Sequence, residues 1–227
     1  MIDIDQLAKR FENISKEIGE ATLVAVTKYS DVREINVAYD IGHRDFGENR
    51  VSDLETKAKA FRQENRDGVR WHFIGHLQTN KVSKLIKIHG LYAIHSVDSE
   101  KLLREILKYK EDILSPISLF FQVNTSGEKE KGGFEDYESL KKAVANLLKL
   151  SSTSFLFEGL MTMGTYRTEH KDEEAKRCFK LLKSYGDKLK EDFKLDEVKL
   201  SMGMSDDYKI ALKEGSDLVR VGSLLFK

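Results

Sequence analysis

A single cysteine, a single proline and a single tryptophan stand in 227 residues, and 38 basic side chains cancel 38 acidic ones. With Cys178 alone, neither an intramolecular disulfide nor a zinc site built from several cysteines is possible. Zero formal net charge argues against a general nucleic-acid binder, which needs a cationic excess to hold phosphates. A local basic pocket stays compatible with that balance. No apolar run approaches the roughly 20 residues of a membrane-spanning helix. The opening MIDIDQLAKRFENI has neither the basic region nor the apolar run of a secretory signal. The expectation is a soluble, cytoplasmic chain with no nucleic-acid and no membrane partner. Pro116 is isolated and no Pro/Gly/Ser-rich linker divides the chain, so one domain over residues 1–227 is expected.

What is present is a core-forming chain, 40% hydrophobic, in which short apolar runs alternate with amphipathic segments. Ile4, Leu7, Phe11, Ile14 and Ile18 are spaced for a helix with one wet face. TLVAV then reads as a strand buried on both faces, as in parallel sheets, and leads into Thr27 and Lys28. Further strands are expected at 45–47, 71–75, 91–97, 117–123, 155–161, 197–202 and 217–222. Helices between them carry Ile35 and Ala38, Leu54 and Phe61, Val82 and Leu85, Leu102 and Ile106, Leu140 and Val144, Cys178 and Leu182, and Ile210 and Leu212. Asp31, Asp98 and Ser205 are read as helix caps. About eight β/α units is the number that closes a TIM barrel. The fold class expected is therefore α/β, a (β/α)8 barrel with an extra N-terminal helix. An open doubly wound sheet is disfavoured because no GxGxxG turn follows the first strand.

Chemistry in such a barrel gathers where strands end. Lys28 follows the first strand, Glu48 and Asn49 the second, and residues 201–205 and 220–223 the last two. A lysine closing so apolar a run should lose hydration and titrate closer to neutral, as an amine must to condense with an aldehyde. A surface lysine just past the strand is the plain alternative. Ser201, Ser205, Gly222 and Ser223 offer hydroxyl and backbone N–H donors for a phosphate, at the two loops where TIM barrels commonly bind one. Each also reads as an ordinary cap or turn residue. Together with the amine they suit a phosphorylated aldehyde. Arg220, in an apolar strand, needs a partner. That partner is either an acid such as Glu48 or a heteroaromatic nitrogen, and the latter would leave the ring unprotonated and a poor electron sink.

AVTK (25–28), FGENR (46–50), WHFIGHLQTNK (71–81), QVNTSGEKEKGG (122–133), GLMTM (159–163), SMGMSDD (201–207) and VRVGS (219–223) occur in one order over nearly the whole chain. In these stretches the chain resembles the pyridoxal phosphate homeostasis proteins, whose fold is like the N-terminal barrel of alanine racemase. The resemblance implies a type III fold without the C-terminal β-domain, and pyridoxal 5'-phosphate (PLP) held covalently as a Schiff base on Lys28. It also implies phosphate contacts from Ser205, Gly222 and Ser223 with Ser201 close by, a ring-nitrogen contact from Arg220, and Asn49 lining the pocket. Family members are thought to carry or buffer PLP without established turnover. Apoenzymes that require PLP are the implied recipients. The chain departs from the family at Ser30, where a second lysine is frequent, at Gly164 and Thr165, where proline is frequent, and at its end, Phe226 and Lys227.

No residue is assigned a catalytic role and none a metal. His72 is read as a core or hydrogen-bonded histidine, His76 as facing the pocket, and Cys178 as a buried thiol. The basic loop 129–133 reads as solvated, and the charged stretch 168–177 as an exposed helix start. Two other functions compete. One is a weakly active amino-acid racemase of the same barrel type, against which stands the lack of room for a domain supplying a catalytic tyrosine from a partner subunit. That lack also favours a monomer. The other, a sugar-phosphate binder, leaves Lys28 unexplained.

Overall fold

The computed structural model describes residues 3–113, 115–128, 130–150, 153–164 and 169–227. Its strands are β1 (Thr22–Val26), β2 (Asp45–Glu48), β3 (Arg70–Phe73), β4 (Leu91–Val97), β5 (Ile117–Gln122), β6 (Phe155–Met161), β7 (Lys199–Met204) and β8 (Leu218–Val221). All are parallel, neighbours in sequence are neighbours in space, and β8 pairs with β1 to close the barrel. The runs of β2, β5 and β8 are buried at every position because one face meets helices and the other fills the barrel.

The helices are α1 (Ile4–Ile18), α2 (Val32–Asp40), α3 (Val51–Gln63), α4 (Val82–Ile86), α5 (Glu100–Leu107), α6 (Tyr137–Leu148), α7 (Lys171–Phe193), α8 (Tyr208–Lys213) and α9 (Ser223–Phe226). Local chemistry starts several of them. Asp31 forms a reciprocal capping box with Glu34 at the head of α2. Asp136 caps α6 through the Ser139 N–H. No described helix is long and apolar enough to cross a membrane.

The N-terminal helix is less an addition than a substitute. The helix that follows β8, α9, has four residues. Helix α1 lies against α2 and α9, with the Phe11 and Phe226 rings 5.8 Å apart and the Arg10 guanidinium donating to the Leu225 carbonyl. Glu17 of α1 meets Tyr208 and Lys209 of α8. It thus covers the gap between α8 and α2, burying Leu7, Phe11, Ile14 and Ile18.

Boundaries differ from expectation in a few places. Strand β7 runs two residues later than the sequence reading, so Ser201 lies inside it rather than at its end. Ser99, not Asp98, caps α5: its hydroxyl accepts the Leu102 N–H, while Asp98 accepts the Ser99 hydroxyl and faces His76. Ser205 is not a helix cap either, because α8 begins at Tyr208 with Asp207 before it.

Between barrel and helices lies the main apolar core, with Trp71, Phe46, Phe61, Phe121 and Phe179 fully buried. Inside the barrel a smaller apolar cluster joins Val24, Ala93, Phe120, Met161 and Leu218. The rest of the filling is polar. Asp45, His72, His95, Ser201 and Arg220 are all buried there.

Candidate functional site

The C-terminal ends of the strands surround a cavity of about 490 Å³, within the usual range of small-molecule pockets. Strand β1 delivers Val26, Lys28, Tyr29 and Ser30 to it, and Asn49 comes from the residue after β2. Loops after β7 and β8 bring Ser205, Gly222 and Ser223, and Arg220 enters from within β8. Ile74, Met161, Met163 and Phe226 supply apolar wall. Lys28, Asn49, Ser205, Arg220, Gly222 and Ser223, singled out from sequence, therefore share one cavity. Ser201 is not among its lining residues.

Lys28 is exposed. The burial of the apolar run stops at Thr27, whose hydroxyl is held by the Gly47 carbonyl and Glu48. The strand ends at Val26, so Lys28 stands on the lip of the cavity, its Nζ 5.1 Å from the centre of the Tyr29 ring. The dehydration expected from sequence is not present at that position. Beneath it the buried Glu48 carboxylate takes hydrogen bonds from Thr27 and from Lys57, and Lys57 also donates to the Thr27 carbonyl at 2.7 Å. Glu48 is thereby committed to β1 and α3 and is not the acid that holds Arg220.

Opposite, the β7 and β8 loops are tied together: the Gly222 N–H donates to Ser205 Oγ at 3.2 Å. A Cβ at Gly222 would lie 3.0 Å from the Val26 carbonyl oxygen, so glycine there lets the β8 loop pass close to β1. Among the described residues the Ser223 and Leu224 N–H groups at the start of α9 have no backbone acceptor and can meet an anion, whereas those of Leu225 and Phe226 donate to the Gly222 carbonyl. The Asp207 carboxyl, pushed above its ordinary range by burial, accepts the Met204 N–H at 2.6 Å and fastens the β7 turn.

Arg220 is held by oxygen atoms. Nη1 donates to the Ser201 carbonyl at 2.7 Å and to Ser201 Oγ at 2.6 Å, and Nη2 to the Thr162 carbonyl at 2.8 Å. Ser201 thus anchors the arginine. His95, not anticipated from sequence, is the next link: its Nδ1 lies 2.8 Å from Ser201 Oγ and its Nε2 2.9 Å from His72 Nδ1. Burial above all, with the nearby Arg220 guanidinium, holds His95 well below the ordinary imidazole range. His72 Nε2 then meets Asp45 at 3.0 Å. Burial pushes the Asp45 carboxyl up, but hydrogen bonds from Arg70 and His72 outweigh it and hold it well below the carboxylate range. The signal for this chain was polar residues spaced two apart from interior apolar ones, as His95 is from Ala93 and Arg220 from Leu218.

The other residues considered fall as follows. His72 is buried and hydrogen-bonded, as read. His76 lines the cavity at its rim, with Asp98 3.2 Å from its Nδ1. Cys178 is buried. Of the loop 129–133, Lys129 lies outside the described residues, and Lys131 is tied to Glu128 and to the Gly164 carbonyl instead of being solvated. Thr165 and Thr168 lie outside the described residues, and α7 begins at Lys171.

Comparison with known proteins agrees with this geometry. The family described as alanine racemase, N-terminal domain, matches residues 2–227. A pyridoxal phosphate homeostasis protein of Caenorhabditis elegans is 35% identical over 99% of this chain and 97% of that protein, and one of Aquifex aeolicus is 34% identical over 98% and 93%. PipY of Synechococcus elongatus, solved without PLP, superposes with a TM-score of 0.88 at 29% identity over 97% of this chain and 100% of that one. Its PLP-bound structure gives 0.85 at 28% identity over the same shares of the two chains. Alanine racemase of Oenococcus oeni shares the fold, with a TM-score of 0.73 at 17% identity over 98% of this chain and 62% of that one. The chain belongs to the alanine racemase N-terminal-domain family and, within it, to the pyridoxal phosphate homeostasis proteins.

Proposed function

We propose that this chain binds PLP at the mouth of the barrel, as a Schiff base on Lys28, and serves PLP homeostasis rather than amino-acid turnover. One observation carries the reading: Lys28, the tied loops of Ser205, Gly222 and Ser223, and Arg220 line one cavity of suitable size. PipY, whose fold this chain shares, has been solved with PLP bound. The chemistry of the residues fits the group. Ser205 Oγ and the N–H groups of Gly222 and Ser223 hold the phosphate, Arg220 donates to the ring nitrogen, Ser201 anchors Arg220, and Asn49 lines the ring. The Lys28 amine, once deprotonated, forms a C=N bond with the aldehyde carbon, and the aldehyde oxygen leaves as water. A guanidinium at the ring nitrogen disfavours protonation there and so weakens the electron sink that PLP supplies when bound. Retention without rapid chemistry follows; a monomeric state and transfer of PLP to apoenzymes are further parts of the proposal.

The test is direct. Protein mixed with PLP should gain a visible absorption band and, after borohydride treatment, a stable mass adduct on the peptide containing Lys28. Lys28→Ala should lose both. A wild-type protein that takes up no PLP, or a borohydride adduct on another lysine, overturns the assignment.

A further inference from the structure

The polar filling of the barrel is one continuous chain of hydrogen bonds from its N-terminal rim to the cavity. Arg70, at the start of β3, donates to Asp45, at the start of β2, with Nε 2.6 Å from Oδ1. From Asp45 the contacts run through His72 at 3.0 Å, His95 at 2.9 Å, Ser201 at 2.8 Å and Arg220 at 2.6 Å. Both ends are chemically fixed. An ionised carboxylate only accepts and a guanidinium only donates.

Between those ends, one arrangement gives every donor in the relay an acceptor and brings no two donors together at Ser201. Arg220 donates to Ser201 Oγ, and the serine hydroxyl passes its own hydrogen to His95 Nδ1. His95 Nε2–H donates to His72 Nδ1, and His72 Nε2–H donates to Asp45. In that arrangement each imidazole carries its hydrogen on Nε2 only. If His95 carried hydrogen on Nδ1, two donors would meet at Ser201 and its hydroxyl hydrogen would lose this acceptor. The His95 ring is also clamped, stacked on Phe120 with centroids 4.4 Å apart and planes 16° from parallel.

We propose that His95, oriented by His72 and Asp45, is a positioning residue that fixes Ser201 as the acceptor for Arg220 and thereby sets the guanidinium against the ring of the bound cofactor. This rests on the reading of the cavity as a PLP site. The relay acts through Arg220, and no member of it before Arg220 lines the cavity.

Two measurements test it, and the first needs no cofactor. Two-bond ¹H–¹⁵N correlations on the protein should show His72 and His95 protonated at Nε2 alone; an Nδ1-protonated or cationic His95 ring overturns the proposal. The second compares PLP release and the position of the visible band in His95→Phe, in the milder Ser201→Ala and in the double variant, each checked for folding by circular dichroism. Loss of a hydrogen bond to a charged group implies release about tenfold faster in each single variant. Members of one relay are non-additive, so the double variant should release no faster than the worse single one. Additive losses, or single variants within twofold of wild type with an unshifted band, overturn the positioning role while the cavity assignment stands. A wild-type protein that never colours with PLP overturns the cavity assignment, and this proposal with it.

Discussion

Buried imidazoles make the pH response of this protein a matter of single residues. Burial holds His43 and His95 below the ordinary value of 6.5, for His43 against the opposing effect of the hydrogen bond that its Nε2 donates to the Asp45 carbonyl. A base whose folded value is depressed takes up protons on unfolding below its unfolded value. The folded state therefore keeps its full stability above pH 6.5 and loses it as the pH falls below that point. Asp45, with a net downward shift, acts lower: its contribution is present above 3.8 and is lost as pH falls through its folded value. The urea midpoint is expected to decline on acidification below pH 6.5, and His43→Phe combined with His95→Phe should flatten that limb. A limb that survives both substitutions would assign the effect elsewhere. The Lys28→Ala experiment belongs to the same scale, because removal of one amine should abolish covalent retention and leave the fold intact at an exposed position.

At the scale of elements, the cavity depends on how closely β7 and α8 approach. Gly203 adopts φ +91°, and a Cβ there would lie 2.5 Å from the Ala211 Cβ and 2.9 Å from the Tyr208 Cα. The turn to Ser205 exists because glycine permits both the conformation and the contact. Gly203→Ala should cost roughly 1–3 kcal/mol from backbone strain alone. It should also weaken PLP binding by displacing Ser205 from Gly222. Urea unfolding and PLP titration check the two effects; unchanged values in both would show that the turn adapts freely. The sequence announced the glycine but not its partner. SMGMSDD reads as a turn with a helix start at Ser205, whereas β7 continues to Met204 and α8 waits until Tyr208. Strand ends are set by pairing with β8, whose register shifts between Ser201 and Met204, and such a shift has no local sequence signature.

At the scale of the whole molecule, the barrel is shared with alanine racemases, and fold does not determine activity. Exchange of the α-proton of L- and D-alanine in deuterated water separates the two functions. For a carrier in which Arg220 faces the ring nitrogen, exchange is expected to match that of free PLP at the same concentration. Exchange well above it would establish a racemase-type enzyme.

The alternation of apolar runs and amphipathic segments was enough to specify eight strands and the barrel, because period and turn chemistry are written locally; strand-end chemistry pointed to Lys28, Ser205, Arg220, Gly222 and Ser223, and the family resemblance added Asn49. Tertiary structure alone decided two things. Lys28 is exposed because it lies beyond the end of β1 at Val26 and just past Thr27, the last residue of the run that β2 still holds and covers. Ser201 belongs to the barrel interior, bound to His95 106 residues away in sequence, and that link exists only because closure of the sheet brings β4 and β7 to face each other across the interior.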